Sequence, residues 1–241
     1  MKRRSLSILV VLAFFVLTLL ADKVAMAEKV IQFSGYTWEV KSGYHAPGKN
    51  QWSDRNVWVD EAGRLHLKIS REGGIWYCAE LFTLQSFRPG RFEFQIEGPV
   101  GQFDPFVVLG LFLYPDPKKG PAEENEVDIE FARWGKAENP AGSYTVMGNT
   151  HPYPFSLADR LSTHVLTWGR ADVGFQSYSG QGSSEPEQQY HDWIFHPAEF
   201  HGSFPAAPLR IHLNLWLFRG HSPVNGEGQE IIIHRVTYVP L

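Results

Sequence analysis

The sequence is almost free of cysteine, since Cys78 is the only one among 241 residues. A single cysteine excludes any disulfide within the chain and any zinc site built from cysteines. There is also no excess of basic residues, because 22 Lys and Arg stand against 26 Asp and Glu and the formal charge is -4. This balance offers no basic surface for nucleic acid, so we expect no nucleic-acid partner. Because no disulfide can form within the chain, packing must provide the stability of the fold.

Helical patterning is missing as well, since no 11-residue window of the region after the N-terminal segment combines an apolar stripe with helix caps. Glycine, proline and aromatic residues are plentiful instead, with 22 Gly, 16 Pro and 14% aromatic residues. Aromatic side chains suit a pleated sheet, while Gly and Pro interrupt the chain at turns. The composition therefore predicts many short strands joined by turns.

Long apolar runs are absent except at the N-terminus, where three basic residues precede "SILVVLAFFVLTLLA". The small residues "AMA" at 25–27 provide a cleavage pattern, so residues 1–27 are predicted to be a secretory signal peptide. The run is also long enough to be an uncleaved membrane anchor, but the small-residue site favours cleavage. We therefore expect a secreted or periplasmic protein without a membrane partner after cleavage.

The predicted mature chain, residues 28–241, has the length of one ordinary domain and enough material for a core. It contains no internal repeat and no abrupt change of composition. We therefore expect a single domain and a monomer.

Alternation of apolar and polar residues recurs along this region, as in "RLHLKIS" (64–70) and "RFEFQIE" (91–97). Such alternation is typical of half-buried antiparallel strands. Further candidate strands are 106–114, 164–168, 209–218 and 230–239. Predicted loops, rich in Pro, Gly and polar residues, are 115–124, 137–142 and 179–189. Strands at this spacing predict an all-β fold, a sandwich or a barrel.

One strand, "NEVDIEF" (125–131), places Glu126, Asp128 and Glu130 at every second position with apolar residues between them. Successive side chains of a strand point to opposite faces, so the three carboxylates share one face. An acidic outer face can simply keep an edge strand soluble. A calcium site is a second alternative, although such sites usually draw their oxygen ligands from a glycine-containing loop.

Glycoside hydrolysis is a third explanation of this strand. A retaining glycosidase needs two carboxyl groups about 5–5.5 Å apart, one as nucleophile and one as proton donor. The Cα atoms of Glu126 and Glu130 would lie roughly 13 Å apart on a strand, and side chains on a curved sheet can close much of that gap. Three neighbouring acids cannot all ionise easily, which separates their pKa values. The strand could thus hold an ionised nucleophile beside a protonated acid.

The acidic strand closely resembles the active-site strand of glycoside hydrolase family 16, in its licheninase-like endo-β-glucanase branch. Four further segments are similar to that branch and occur in the same order across most of residues 35–238: "WYCAEL", "SFRPGRFEFQIE", "HVLTW" and "LNLW". The resemblance implies a concanavalin A-like jelly-roll, a β-sandwich of two curved antiparallel sheets with a sugar-binding cleft on the concave face. The expected partner is then a polysaccharide substrate.

The resemblance also implies roles for individual residues. Glu126 would be the nucleophile, Glu130 the acid/base, and Asp128 the neighbour that tunes and orients Glu126. Residues matched to the cleft lining are Asn56, Glu80, Phe112, Asn214 and Trp216. The two aromatic residues among these could instead be core residues, and Asn56 could be a turn residue. Trp134, which follows the acidic strand, is either a platform beside the cleft or a lid on the core.

Several positions depart from the branch. Phe82 and Glu124 stand where the branch has Arg and Trp, so the sugar subsites should be rearranged. An Asp that helps to bind a structural calcium ion in relatives aligns near His234, which argues against that ion here. We therefore expect no cofactor and no metal.

The leading hypothesis is a retaining, endo-acting β-glycosidase with a covalent glycosyl-enzyme intermediate. The alternatives are a non-catalytic carbohydrate-binding jelly-roll and a transglycosylase of the same family. The acidic strand has no extra residue between Asp128 and Glu130, which is typical of the mixed-linkage β-glucanase and xyloglucan-acting branches. A mixed-linkage or related β-glucan is therefore the expected substrate, with β-1,3-glucan and algal galactans as open alternatives.

Overall fold

The chain is described by a computed structural model, and the predicted signal peptide, residues 1–27, lies outside the described residues. Most of the predicted loop 115–124 and the middle of the predicted loop 179–189 also lie outside them. In the part that the structure describes, no helix is long and apolar enough to cross a membrane. The described residues are 28–116, 125–157, 160–182, 188–197 and 208–241.

Nearly all regular structure in the described ranges is β-strand, as the composition predicts. The strands are β1 (Lys29–Phe33), β2 (Tyr36–Val40), β3 (Gly43–His45), β4 (Asn50–Trp52), β5 (Val57–Val59), β6 (Leu65–Glu72), β7 (Ile75–Thr83), β8 (Gly90–Glu97) and β9 (Val107–Pro115). They continue with β10 (Val127–Ala132), β11 (Gly142–Val146), β12 (Asn149–Tyr153), β13 (Leu161–Trp168), β14 (Val173–Ser179), β15 (Gln189–Phe195), β16 (Leu209–Leu217) and β17 (Gln229–Pro240). Short 3-10 turns occupy Asp54–Asn56, Val100–Gln102 and Phe218–Gly220.

The strands form two antiparallel layers. The first sheet has the order β1-β2-β7-β16-β9-β10-β11-β12. The second sheet has the order β5-β6-β17-β8-β13-β14-β15. The β6–β7 hairpin links the two layers, and the short strands β3 and β4 lie beside β7, with β4 parallel to it. This arrangement confirms the predicted jelly-roll sandwich of two antiparallel sheets.

The core lies between the two sheets and follows from the alternation in the strands. In β10 the apolar residues Val127, Ile129 and Phe131 are completely buried. Ile211 and Leu213 of β16 are buried in the same way. The opposite face of these central strands is thereby left free to carry polar and aromatic side chains, and we call it the cleft face.

Candidate active site

A row of side chains crosses the cleft face at one register and ends at Glu130. Glu130 pairs with Gly110 of β9, Gly110 pairs with Asn214 of β16, and Asn214 pairs with Glu80 of β7. We call these four residues the carboxylate row. Position 110 requires glycine on steric grounds, because a Cβ atom there would lie 2.6 Å from Asn214 Oδ1. The absence of a side chain therefore lets Asn214 lean over β9 toward Glu130.

A second row, two residues along each strand, ends at Asp128 and carries aromatic rings. Asp128 pairs with Phe112, Phe112 with His212, and His212 with Phe82. The rings of His212 and Phe82 stack with centroids 5.0 Å apart, and His212 lies 4.9 Å from Phe112. We call the three ringed residues the aromatic row. It supplies flat apolar surface beside the acids, as a carbohydrate ligand requires.

Apart from Phe82, the residues of the two rows line a cleft of about 390 Å³. Glu126 lies at its edge, immediately before β10, where its backbone oxygen accepts a hydrogen bond from Met147 N at 2.8 Å. The cleft thus brings together seven of the nine residues that the sequence singles out. These are Glu80, Phe112, Glu126, Asp128, Glu130, Asn214 and Trp216.

Asn56 does not reach the cleft, so the structure does not support its prediction as a substrate-binding residue. It ends the first 3-10 turn, and its side chain is used within the fold. The Nδ2 atom donates to Tyr77 O at 2.9 Å, and the Oδ1 atom accepts a hydrogen bond from Ser70 Oγ at 3.0 Å. A buried amide that has partners for both its donor and its acceptor is a structural residue.

Trp134 is not part of the cleft lining. Its ring contacts Phe218 at 5.3 Å and Trp216 at 6.4 Å, both in edge-to-face geometry, and it packs against the core. Of the two roles that the sequence leaves open, a lid on the core describes this placement better than a platform for sugar.

The three acids of the cleft interact strongly. Burial, together with the charges of Glu126 and Glu130, raises the pKa of Asp128 well above its ordinary value. Burial and the charge of Glu126 raise the pKa of Glu130 to about 8. Like charges in a desolvated site cannot all be ionised, so protons are retained on some of the acids. At neutral pH, Glu130 and Asp128 therefore hold protons next to the charge of Glu126.

Glu80 has the opposite character. It is only 5% exposed, and burial alone would raise its pKa, but His212 and Lys41 outweigh that effect and the pKa of Glu80 is lowered. Lys41 Nζ lies 2.6 Å from Glu80 Oε2. The cleft therefore contains an ionised carboxylate at one end of the carboxylate row and a protonated one at the other.

Polar atoms without partners concentrate at the cleft face. Among the described residues, five buried side-chain atoms lack a hydrogen bond, and four of them belong to residues of this face. Such orphaned atoms destabilise a fold by roughly 1–3 kcal/mol each and are found where a ligand or a proton completes the site. The four atoms are Asp128 Oδ1, Asn214 Oδ1, His212 Nδ1 and Arg210 Nε.

Sequence reasoning missed several cleft residues. His212 and Tyr114 lie two positions from Asn214 and Phe112 on the same strands, so simple alternation could have found them. Alternation could not have found Lys41, because this residue reaches the cleft from outside the strands that match the family.

A metal site finds no support in the described ranges. No group of three or more His, Cys, Asp or Glu residues there could hold a metal ion. At the position that aligns with the calcium-binding Asp of relatives, His234 Nε2 lies 2.9 Å from Glu97 Oε2. Calcium prefers oxygen ligands, so an imidazole already paired with a carboxylate does not suit it. These residues do not fit a calcium ion.

No protein-family model matches the chain, and neither does any curated protein sequence. Solved structures do match. The β-glucanase of Bacillus licheniformis superposes with a TM-score of 0.63 at 20% identity, covering 89% of this chain and 97% of that one. A glycoside hydrolase family 16 endo-glucanase of Bacteroides ovatus gives a TM-score of 0.61 at 16% identity, covering 84% and 94%. The chain has the family 16 glucanase fold.

The same fold also occurs in a protein of Mycobacterium tuberculosis that is described as a pseudo β-1,3-glucanase. That structure gives a TM-score of 0.63 at 22% identity and covers 84% of this chain and 91% of that one. This fold thus occurs both in proteins described as glucanases and in one described as a pseudo-glucanase, and the side chains of the cleft must decide the function.

Proposed function

We propose that this protein is a retaining glycoside hydrolase that cleaves a β-glucan or a related polysaccharide at internal bonds. The observation that carries the proposal is the acid cluster. Glu126, Asp128 and Glu130 line one cleft, and burial and mutual repulsion raise the pKa of the last two. An ionised carboxylate beside a protonated one is the pair that retaining hydrolysis uses.

In the first step, Glu126 attacks the anomeric carbon and Glu130 gives its proton to the leaving oxygen. Because the pKa of Glu130 is raised to about 8, this residue is protonated at neutral pH. Asp128 keeps a second proton between the two glutamates and can donate a hydrogen bond to Glu126. The bond to the leaving group breaks as the ester to Glu126 forms, so charge and protons balance.

In the second step, Glu130 acts as a base. Esterification removes the charge of Glu126, which is one of the two causes that raise the pKa of Glu130. The pKa of Glu130 therefore falls in the intermediate, and the carboxylate can accept a proton from the incoming water. Water then releases the sugar with retained configuration.

The lining of the cleft supports a neutral glycan as the substrate. Glu80 and Asn214 offer hydrogen-bonding groups for hydroxyls, while Phe112 and Trp216 offer aromatic surface for a pyranose ring. The β10 strand pairs with β9 and β11 without a register shift, so no bulge separates Asp128 from Glu130. A mixed-linkage β-glucan or a related polymer therefore remains the first choice.

The test is product release from a panel of soluble β-glucans and galactans by residues 28–241. We expect oligosaccharides from one polymer, lost in both Glu126→Ala and Glu130→Ala. Products longer than the starting oligosaccharide would show transfer to sugar in place of hydrolysis. Binding of a polymer without any product would contradict the proposal and support the carbohydrate-binding alternative, which the inactive mycobacterial neighbour makes worth measuring.

Export belongs to the proposal as well and is supported by the N-terminal sequence pattern. Sequencing the N-terminus of the protein from the producing cell should give Glu28. A chain that begins at residue 1 and sediments with membranes would favour the anchor instead.

A further inference from the structure

Lys41 follows β2 directly, and its ammonium group is surrounded on three sides. Lys41 Nζ donates to Glu80 Oε2 at 2.6 Å and to the backbone oxygen of Ala46, also at 2.6 Å. It also lies 4.4 Å above the ring of the buried Trp52. An ammonium group has three N–H donors, and the two oxygen atoms use two of them while the Trp52 ring covers a further side. Lys41 is therefore held in place by contacts within the protein.

Glu80 has Lys41 as its charged partner, while His212 also lowers its pKa. Its other neighbour is His212, whose Nδ1 lies 3.5 Å from Glu80 Oε1, too far for a good hydrogen bond. Burial outweighs the effect of Glu80 and lowers the pKa of His212, so the imidazole is neutral at neutral pH. Arg210, beyond His212, is paired with Asp116 at 2.7 Å. Lys41 is thus the cation that compensates the buried carboxylate.

The same ammonium group connects the floor of the cleft to its wall. Ala46 and Pro47 line the cleft, and Lys41 holds the backbone oxygen of the first. Asn50 Nδ2 donates to the backbone oxygen of Pro47 at 2.9 Å. An adjoining cavity of about 350 Å³ shares Lys41 and Glu80 with the cleft. The ion pair therefore stands where the two spaces meet.

We propose that Lys41 is a positioning residue for sugar binding, which keeps the Glu80 carboxylate charged and fixed against the Ala46 wall so that it can accept sugar hydroxyls. The inference rests on the proposed function for its ligand, a neutral β-linked glycan. Because the hydrogen bonds of Lys41 are made within the protein, we expect its effect on sugar binding to appear through Glu80.

The first measurement follows the carboxyl carbon of Glu80 by 13C NMR during a pH titration, assigned by its loss in Glu80→Gln. In Lys41→Met, the charge and hydrogen bond of Lys41 no longer oppose the effect of burial, so the Glu80 midpoint should rise. Lys41→Arg should keep the low midpoint, and Lys49→Met, an exposed lysine nearby, should change nothing. An unchanged midpoint in Lys41→Met would overturn the proposal.

The second measurement is binding of β-glucan oligosaccharides in the Glu126→Ala background, which prevents turnover. Lys41→Met should weaken binding about tenfold, as expected when a charged hydrogen-bond acceptor is lost. Binding should weaken further as pH falls, because Glu80 with a raised pKa becomes protonated. Equal affinity of Lys41→Met and its parent at every pH would contradict the proposal.

The two measurements separate this inference from the proposed function. If no oligosaccharide of the panel binds or is cleaved, the proposed function fails, and so does the assignment of a glycan ligand to this site. The titration still decides whether Lys41 sets the pKa of Glu80. If Lys41→Met does not fold, the double variant Lys41→Met with Glu80→Gln removes both charges. We expect that double variant to fold. A double variant that also fails to fold would show that Lys41 serves only to hold the backbone of the Ala46 wall, and it would overturn the proposal.

Discussion

On the core side of β11, Tyr144 OH lies 2.7 Å from Ser177 Oγ, whereas on the cleft side of β10 Asp128 Oδ1 has no hydrogen-bond partner among the described residues. The core group belongs to a network in which His164 Nδ1 contacts Ser177 Oγ and His164 Nε2 contacts Ser162 Oγ, each at 2.9 Å. The Tyr144 hydroxyl and the Asp128 carboxyl are both buried, yet only the network around Tyr144 has its hydrogen bonds complete. We call it the hydroxyl network.

The difference separates polar groups that complete their hydrogen bonds within the fold from those that the proposed glycan ligand would satisfy. In the hydroxyl network burial lowers the pKa of His164 to about 3, so the ring stays neutral and bonds at both nitrogens. In the cleft, burial and repulsion instead hold protons on acids that lack full partners. Changes in the cleft should therefore affect activity more than stability, and changes in the network should do the reverse.

The largest effect is expected from Glu126→Ala. Loss of the nucleophile should reduce turnover on the order of 10⁴-fold or more, while oligosaccharide still binds. The melting temperature should stay the same or rise, because one like charge leaves the cluster. Steady-state kinetics and thermal unfolding measure the two quantities, with the exposed Glu61→Ala as the control. An active Glu126→Ala enzyme would remove Glu126 from the mechanism.

Glu130→Ala should follow, with a loss of about 10²–10⁴-fold on natural substrates, as is usual for a missing acid/base. A substrate with a good leaving group needs less protonation, so the loss there should be smaller. Azide should restore activity on that substrate and yield a β-glycosyl azide, which NMR identifies. An α-configured product would instead indicate an inverting route or exchanged roles of the two glutamates.

His164→Ala tests the other side of the comparison. It removes a completely buried ring and the partner of the Ser162 hydroxyl, while Ser177 Oγ keeps its contact with Tyr144 OH, so the free energy of unfolding should fall by about 3 kcal/mol. Chemical denaturation measures the loss, with the exposed His196→Ala as the control. Oligosaccharide affinity should stay within about twofold of the affinity of the unchanged protein. A change of that size is well below the tenfold change that corresponds to about 1.4 kcal/mol of binding free energy. A loss of affinity at full stability would make the network part of the site.

Asp128→Asn should give the smallest effect on the fold, in the stabilising direction. A carboxyl whose pKa is raised in the folded state contributes less stability as pH rises through the range between the unfolded and folded values. An amide does not titrate, so the variant should exceed the parent in free energy of unfolding at pH 7 and the gap should narrow toward pH 4. Denaturation at both pH values decides this, and a gap independent of pH would show that Asp128 is ionised.

Alternation predicted which side chains share a face, and the resemblance to family 16 assigned that face to a cleft. Glu126 just before β10, Asp128 and Glu130 of β10, and Asn214 and Trp216 of β16 all line the cleft. Asn56 does not line the cleft, because its amide forms hydrogen bonds inside the fold, and a match to an asparagine in a turn does not show where that amide points.

Other features could not be predicted because their causes are distant in the chain. β11 (Gly142–Val146) begins inside a segment predicted as a loop, since its glycine and serine weaken the strand pattern and pairing with β10 overrides it. Lys41 meets Glu80 across 39 positions of sequence. No local pattern records that contact, because it depends on β2 pairing beside β7.

By itself, the sequence determined an all-β chain and a strand with three acids on one face, because composition and a period of two are local properties. Only the tertiary structure decided which side chains meet those acids. The register of β7, β16, β9 and β10 aligns Glu80, Asn214 and Gly110 with Glu130, and burial in the cleft desolvates the acids. Proton affinity in the cleft arises from that desolvation and proximity, which exist only after the chain has folded.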